Sequence, residues 1–210
     1  MDKPQAGDRQ QPSAKAEAIV AAAMREFLAH SYAATSMDRV AKAAGLSKAT
    51  VYSYFENKEE LFSTSIERFA KEKYAAVFNP TGDRPWEGEP RVVLRRIVSN
   101  FLEMAAGDPQ LQDFMRSMMG ESKRFPILAQ VYVRYIAKPV LETIAGYLAS
   151  HRSLPIADPE ATARIILGSM VYFHLLQEVM HGKDILPMER DRLVNSLVDL
   201  VRAPLRTSFK

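Results

Sequence analysis

The chain has no cysteine among its 210 residues. Disulfide bonds, thiolate metal ligands, cysteine nucleophiles and thiol redox sensors are therefore excluded. Long hydrophobic runs are also lacking: the longest, from Ile165 to Leu176, is interrupted by His174 and is too short to cross a bilayer. The first residues contain no apolar segment of the kind found in a secretory signal. We therefore expect a cytoplasmic protein that does not bind a membrane.

Motifs typical of enzymes are absent too. The sequence has no nucleophile elbow, no glycine-rich phosphate loop and no ordered pair of acidic residues. His174, Glu178 and His181 are spaced at i, i+4 and i+7 and so share one helix face, but no fourth metal ligand is in view. We predict that the chain is not an enzyme and that it binds neither a metal ion nor a cofactor.

Apolar residues make up 47% of the chain, which is enough for one sizeable core and a small second domain. The net charge of +3 is compatible with nucleic-acid binding but does not argue for it strongly. Residues 1–60 hold eight Lys or Arg and eight Asp or Glu. A DNA-binding surface in this part must therefore depend on where the charges lie rather than on their sum.

The segment from Thr35 to Phe55 has the pattern of two short helices joined by a glycine turn. We expect Thr35 to cap the first helix by accepting the Asp38 amide, with Asp38 reaching back. Gly45 can adopt the positive φ that ends this helix, and Ser47 can cap the next. The segment therefore predicts a helix-turn-helix.

The second helix of this motif has an apolar face and a polar face. Val51 and Phe55 are four residues apart and are predicted to be buried together. The other side chains point outward, where they suit phosphates and base edges, although packing against the first helix is the alternative for the two tyrosines. These outward residues are Lys48, Ala49, Thr50, Tyr52 and Tyr54.

Helical patterns flank the motif on both sides. Residues 1–12 are predicted to be a disordered arm, with a DNA minor-groove arm as the alternative. A helix is predicted from Ser13 to about residue 30. A capping box formed by Asn57 and Glu60 starts another helix, which reaches about Phe78.

Breakers and periodicity divide the rest of the chain. Residues 79–90 are rich in Pro and Gly and predict a loop. Pro139 falls inside one of the later helical patterns and is expected to kink or split it after about Lys138. No stretch alternates convincingly as a strand does. The fold is therefore predicted to be all-α, with further helices near residues 90–106, 108–121, 125–151, 158–182 and 188–207.

The last two of these helices carry apolar residues on more than one face. In the first of them, Ile165 and Tyr172 belong to one stripe, and Ile166 and Phe173 belong to another. Gly168 is small enough for a second helix to come close. We predict a homodimer interface of the four-helix-bundle type, with a fully buried helix in a monomer as the alternative.

Methionines and aromatic residues in the second half of the chain are suited to line an adaptable apolar pocket. Core packing is the alternative for most of them. His174, deeper in the apolar run, can bond a ligand or a carbonyl. The candidate ligand-binding residues are Phe101, Met104, Phe114, Met115, Met118, Met119, Tyr132, Phe173 and His174.

The motif from Thr35 to Leu61, with the helix before it, resembles the DNA-binding domain of TetR-family transcriptional regulators. The family pattern includes Gly-hydrophobic-Ser-x-x-Thr-hydrophobic-Tyr-x-Tyr/His-Phe, which is met here from Gly45 to Phe55. The stretch 121–129 is similar to the ligand-binding domain of AefR-like members. The resemblance implies an all-helical homodimer that binds a palindromic operator and is released by a small ligand.

The resemblance also places DNA contacts on the recognition helix and on Lys58 at the start of the next helix. Lys58 and the free N–H groups beside Asn57 form an anion site that suits a phosphate. The start of the first helix of the motif adds two further residues. The candidate DNA-binding residues are Thr35, Ser36, Lys48, Ala49, Thr50, Tyr52, Tyr54 and Lys58.

These observations divide the chain into a disordered arm (1–12), a helix-turn-helix DNA-binding domain (13–60) and a helical ligand-binding and dimerisation domain (61–210). We predict a transcriptional repressor that a small, mostly apolar effector releases from a palindromic operator in double-stranded DNA. An effector-independent architectural or co-regulator protein is the alternative, and activation rather than repression is left open.

Overall fold

The computed structural model describes residues 13–78, 87–151, 154 and 156–202. All regular secondary structure in these residues is helical, which confirms the predicted all-α fold. The predicted arm (1–12), most of the predicted loop and the end of the last predicted helix lie outside the described residues. The chain forms two compact units that divide between Ser65 and Ile66.

The first unit is built from three helices and the start of a fourth. Apolar side chains that recur every three or four residues form its core, among them Ile19, Phe27 and Val51. The rings of Phe27, Tyr32 and Phe62 pack together with centroids 5.1–5.7 Å apart. The helices are α1 (Ala14–Ala34), α2 (Met37–Ala44), α3 (Lys48–Tyr54) and α4 (Lys58–Phe78).

A glycine turn joins α2 to α3. Gly45 adopts φ 69° and ψ 27°, and the Leu46 amide donates to the Ala41 carbonyl at 3.0 Å, as in a Schellman motif. Ser47 caps α3 by accepting a hydrogen bond from the Thr50 amide at 3.1 Å. The predicted helix-turn-helix is confirmed by these features.

The cap predicted for α2 is wrong by one residue. Ser36 is the N-cap, and its hydroxyl accepts from the Arg39 amide at 3.2 Å. Thr35 is buried, with its hydroxyl 2.8 Å from the Ser31 carbonyl oxygen and 3.0 Å from that of Glu26. Either hydroxyl residue can cap a helix. The packing of Thr35 against the end of α1 leaves Ser36 to do so.

The capping box predicted at the start of α4 is present. The Asn57 side-chain oxygen accepts from the Glu60 amide at 2.9 Å. The Glu60 carboxylate reaches back to the amide of Glu56, at 2.7 Å, rather than to that of Asn57. Two amides at this helix end are thereby satisfied.

Helix α1 is interrupted near its C-terminus. Ser31 adopts φ 70° and ψ 161°, a conformation that is close to glycine-specific. The helical run therefore stops at His30, close to the predicted end. The chain then redirects Tyr32 and Thr35 into the core of the first unit.

The described part of the second unit contains the rest of α4 and the later helices, whose bounds agree with the predicted ones to within a few residues. Proline occupies the first turn of most of them, where a missing N–H costs nothing. The core includes Ile97, Ile144 and Met170. These helices are α5 (Pro90–Gly107), α6 (Pro109–Glu121), α7 (Pro126–Tyr132), α8 (Lys138–Ser150), α9 (Pro159–His174) and α10 (Arg190–Arg202).

Two π turns widen these helices. One, Val133–Ala137, joins α7 to α8, and the other, Leu175–Val179, extends α9. Pro139 has no amide N–H, and its ring would clash with the carbonyl group four residues earlier, so the α-helical hydrogen bonding cannot continue through it. The disruption predicted near Lys138 is therefore a π turn rather than a break.

Helices α9 and α10 carry apolar side chains on two faces, as predicted. Ile166 and Phe173 are buried against the core of the second unit. Ile165, Tyr172 and Leu200 are 59%, 62% and 65% exposed. One stripe therefore packs within the unit, and the other faces solvent.

Candidate DNA-binding surface and ligand cavity

Helix α3 presents a polar face to solvent. Val51 and Phe55 are buried, as predicted from their spacing. The tyrosine rings of the opposite face are 44% exposed for Tyr52 and 38% exposed for Tyr54. Lys48 and Ala49 are exposed beside them, and Thr50 is half-buried. The predicted recognition residues therefore share one accessible surface.

The ammonium group of Lys48 is paired with the carboxylate of Asp38 on α2. The Lys48 Nζ lies 2.7 Å from Asp38 Oδ1 and 5.8 Å from the centre of the Tyr52 ring. The hydrogen bond and the charge of Asp38 raise the pKa of Lys48, so the ammonium stays protonated. Both groups are well exposed, so this ion pair contributes little to stability.

The hydroxyl groups near α3 are hydrogen-bonded within the first unit. The Ser13 hydroxyl, which caps α1, donates to the Tyr54 hydroxyl at 3.1 Å. The hydroxyls of Ser47 and Thr50 lie 2.8 Å apart. Both pairs are exposed. These hydroxyls are therefore already hydrogen-bonded to other side chains of the unit.

Thr35 and Ser36 differ in what they can reach. The Thr35 hydroxyl is buried and bonded to carbonyl oxygens, so it is not available to a phosphate, and we withdraw it as a DNA contact. Ser36 is exposed at the start of α2. Its position beside free helix N-terminal amides suits an anion.

Lys58 links the start of α4 to the end of α1. Its ammonium donates to the carbonyl oxygens of Tyr32 at 3.0 Å and Thr35 at 3.1 Å. It also lies 4.3 Å from the centre of the Tyr32 ring. An ammonium has three N–H donors, so one remains beyond these two described carbonyls. Lys58 therefore has a structural role in addition to the phosphate contact proposed for it.

The second unit contains an apolar cavity of about 80 Å³ that is partly open to solvent. This volume is smaller than that of a typical ligand pocket, so a bound small molecule would also occupy the open mouth or displace wall side chains. Helices α4 to α9, with the π turn 133–137, supply its walls. The described lining residues are Phe69, Ala70, Lys73, Val77, Phe101, Met104, Leu111, Met115, Tyr132, Tyr135, Ile136, Ala137, Val140, Leu167, Val171 and His174.

Five of the nine candidate ligand-binding residues line this cavity: Phe101, Met104, Met115, Tyr132 and His174. The other four do not. Phe114 and Met118 are buried without lining it, and Met119 is 46% exposed. Phe173 is buried and faces a separate pocket beside Gln177. The spacing of Met and aromatic residues identified the helices that line the cavity, but it did not always identify which face of each helix does so.

Sequence reasoning missed the wall that α4 contributes. Phe69, Lys73 and Val77 recur every four residues, which is the spacing of one helix face. The Lys73 ammonium pairs with the Asp108 carboxylate and lies 4.9 Å from the centre of the Phe69 ring. The sequence predicts that this helix reaches about Phe78, but its apolar period does not show that this part of it faces a cavity.

His174 is the last residue of α9 and is 3% exposed. Its ring lies edge-on to Phe101, with centroids 6.4 Å apart. Neither ring nitrogen has a hydrogen-bond partner in the described part of the chain. Burial lowers the pKa of His174, so the ring is neutral at neutral pH.

His174, Glu178 and His181 do not converge on one point. The Glu178 carboxylate pairs with Lys183 at 2.7 Å, and the His181 Nε2 lies 3.4 Å from the Arg116 guanidinium. Within the residues described, no group of three His, Asp or Glu side chains is placed to hold a metal ion. No described helix is long and apolar enough to span a membrane.

Comparison with known protein families gives two matches that together cover both units. Residues 19–64 match the bacterial regulatory proteins of the tetR family. Residues 92–203, more than half of the chain, match the C-terminal domain of AefR-like transcriptional repressors. The chain belongs to the TetR family of transcriptional regulators. It carries the DNA-binding helix-turn-helix of this family and an AefR-like C-terminal domain.

Individual relatives agree with this TetR-family assignment. The chain is 46% identical over 54 residues to the uncharacterized HTH-type transcriptional regulator YhgD of Bacillus subtilis, covering 26% of this chain and 28% of that protein. It is 39% identical over 57 residues to the HTH-type transcriptional repressor SCO4008 of Streptomyces coelicolor, covering 27% and 30%. Both matches span less than a third of the relative's length.

A solved structure extends the likeness over both units of this TetR-family chain. The Flavonoid-responsive Regulator FrrA superposes with a TM-score of 0.72 at 26% identity, covering 89% of this chain and 94% of that one. The similarity therefore includes the C-terminal unit as well as the helix-turn-helix.

Proposed function

We propose that this TetR-family regulator is a repressor released from a palindromic operator by a small, mostly apolar effector. One observation carries the proposal: the same chain has an exposed recognition helix and an apolar cavity in its second unit. A regulator that responds to a ligand needs both parts. We assign residues 13–60 to DNA binding and residues 61–210 to ligand binding and dimerisation.

Helix α3 is proposed to enter the major groove. Lys48 suits the O6 and N7 acceptors of guanine, and the Ala49 methyl suits a thymine methyl. Tyr52 and Tyr54 present hydroxyls, and Ser36 and Lys58 present donors, for phosphate oxygens. Thr50 is half-buried and is proposed to contribute less to this surface.

The homodimer is proposed to form through α9 and α10. Their exposed stripe, which includes Ile165, Tyr172 and Leu200, is a large apolar surface for a lone soluble chain to leave uncovered. Gly168 on α9 is exposed with open space around its Cα, so a partner helix can approach closely. Two recognition helices in such a dimer would read half-sites about 34–36 Å apart.

The effector is proposed to be mostly apolar or aromatic. Apolar side chains dominate the described cavity wall, which has eight aliphatic residues, two methionines and four Phe or Tyr rings. The name of FrrA, which describes that regulator as flavonoid-responsive, agrees with an aromatic effector. Binding would lower operator affinity by favouring a dimer conformation that DNA does not select.

The test is selection of DNA from a random duplex library with the purified protein. We expect a pseudo-palindromic site, bound by two copies of the chain. Apolar aromatic compounds that raise the thermal stability of the protein should then release it from this site. If the site is recovered but stabilising compounds leave DNA binding unchanged, the effector-independent alternative is supported instead. A non-palindromic site bound by one chain contradicts the dimer.

A further inference from the structure

A buried polar residue without a hydrogen-bond partner among the described residues lines the ligand cavity. The His174 side chain is 3% exposed and lines the cavity, and its two ring nitrogens have no hydrogen-bond partner within the described residues. A buried polar group in this state costs free energy that a ligand group can recover. We therefore expect the ligand to carry a group that hydrogen-bonds to this ring.

The charge state of His174 restricts that group. Desolvation lowers the pKa of the imidazole, and the nearby Arg116 guanidinium lowers it further. The Glu178 carboxylate raises the pKa by more than Arg116 lowers it, and Asp108 raises it least, but desolvation is the largest influence and the pKa is lowered overall. A neutral imidazole offers one N–H donor and one nitrogen acceptor. It suits a hydroxyl or a carbonyl and gives no charge to hold a carboxylate.

Among its described lining residues, the cavity has no unpaired cation that could bind the carboxylate of an acidic ligand. Lys73 is the charged residue on this wall, and its ammonium is already paired with Asp108 and lies over the Phe69 ring. A buried carboxylate would need an uncompensated cation or several donors. An anionic ligand would therefore have to displace Asp108.

We propose that the cavity takes an uncharged aromatic molecule whose hydroxyl or carbonyl group hydrogen-bonds to the imidazole of His174. The aromatic part is expected from the rings of Phe69, Phe101 and Tyr132, which favour stacked or edge-on ring contacts. This inference rests on the proposed function, because it names the ligand class of the same cavity.

The test uses three probes with one skeleton: biphenyl, 4-phenylphenol and biphenyl-4-carboxylate. Calorimetry and thermal shift measure their binding to the full chain and to H174L and H174Q. H30L is the control, because His30 is exposed and belongs to the other unit. It removes one of the four histidines of the chain without changing the cavity.

We expect the wild-type protein to bind 4-phenylphenol at least about tenfold more tightly than the carboxylate. The affinity ratio of 4-phenylphenol to biphenyl should fall about five- to tenfold in H174L, should fall less in H174Q and should not change in H30L. Biphenyl itself should still bind H174L.

Three results would overturn the inference, and they differ in what else they overturn. If the affinity ratio is the same in H174L, or if the carboxylate binds best, the role of His174 is wrong while the cavity remains an effector site. If none of the probes binds the wild-type protein, the effector cavity fails as well.

A second measurement covers a variant that does not fold. In the wild-type protein, the ¹⁵N signals of the His174 ring, assigned by their absence in H174Q or from the neighbouring backbone, should shift with 4-phenylphenol. Biphenyl should shift them much less. Equal shifts with both probes contradict a hydrogen bond.

Discussion

The ammonium of Lys58 donates a hydrogen bond to the carbonyl oxygen of Tyr32 while lying 4.3 Å from the centre of the same residue's ring. One side chain thus satisfies a backbone acceptor just past the kink of α1 and packs on an aromatic face. The residue proposed to hold a phosphate is therefore also part of the first unit's structure.

Lys58→Ala should lower the free energy of unfolding by about 1–3 kcal/mol, because two carbonyls lose a charged donor. It should also weaken binding to every DNA sequence similarly and reduce the salt slope by about one. Urea unfolding and salt titrations of DNA binding measure the two effects. Lys42→Ala, an exposed lysine on α2, is the stability control. Equal stability of both variants would contradict the structural role.

Asp38→Asn should increase affinity for DNA, because it frees the Lys48 ammonium from its partner and removes a negative charge from the reading surface. We expect a several-fold tighter complex and a salt slope larger by about one. Binding titrations at several salt concentrations test this. Unchanged affinity would mean that Lys48 does not approach DNA.

Lys48→Ala should relax the preference at particular base pairs, at a cost of about 1–3 kcal/mol for the preferred site. Lys58→Ala should leave base preference intact. Binding to a set of single-base variants of the selected operator distinguishes the two residues. The reverse pattern, with Lys58 governing base preference, would show that α3 is not the recognition helix.

Ser31→Gly should stabilise the protein by about 1 kcal/mol, because glycine adopts φ 70° and ψ 161° with less strain than serine. Urea unfolding measures the change. Gly45→Ala, at φ 69°, should act in the opposite direction. A loss of stability in Ser31→Gly would indicate that the Ser31 hydroxyl, 3.5 Å from the Ala34 amide, matters more than backbone strain.

Gly168→Arg should produce monomers or aggregates, because a long charged side chain on α9 would occupy the proposed dimer surface. Gly146→Arg is a matched control, since Gly146 is an exposed mid-helix glycine on α8 with equally open surroundings. Light scattering coupled to size-exclusion chromatography gives the mass of each variant. An unchanged dimer in Gly168→Arg would overturn the interface assignment.

Acidification should destabilise the wild-type protein through His174. Its pKa is lowered by burial, so below about pH 6.5 the unfolded chain binds a proton that the folded chain resists. The contribution of this group to the free energy of unfolding is fully present above that pH. It is lost as the pH falls towards the lowered pKa, by at most about 1.4 kcal/mol per pH unit. Urea unfolding at several pH values between 5 and 8 should show that the free energy of unfolding depends less on pH in His174→Gln than in the wild-type protein. Equal slopes would contradict a neutral buried ring.

The helix-turn-helix could be predicted in detail because short-range rules determine it. Gly45 and Ser47 act on their own neighbours, and the pair Val51 and Phe55 needs only the helical period. The cap of α2 could not be predicted in the same way. Thr35 and Ser36 are both suitable caps, and the packing of Thr35 against α1 decides between them.

The cavity depends on long-range packing, and sequence predicted it only in part. Met115 and Met118 lie three residues apart on α6, yet Met115 lines the cavity and Met118 does not. The spacing of these methionines shows that α6 has a wide apolar face. It does not show which part of that face packs towards α4. Lys73 could not be predicted to line the cavity, because a lysine in a helix is normally expected to be exposed to solvent. Its pairing with Asp108 is evident only in the structure.

A π turn adds one residue to a helix; Val133–Ala137 does so without ending the helical run, whereas Leu175–Val179 forms the last turn of its run. Every side chain beyond it is rotated by about 100° relative to an uninterrupted α-helix. His174 stands immediately before one such turn, so α9 can direct His174 into the cavity while Gln177 and Glu178 are buried on a different side. Deleting one residue from Leu175–Val179 would restore the α-helical phase and turn the following loop, with its exposed Ile185 and Met188, to a new direction.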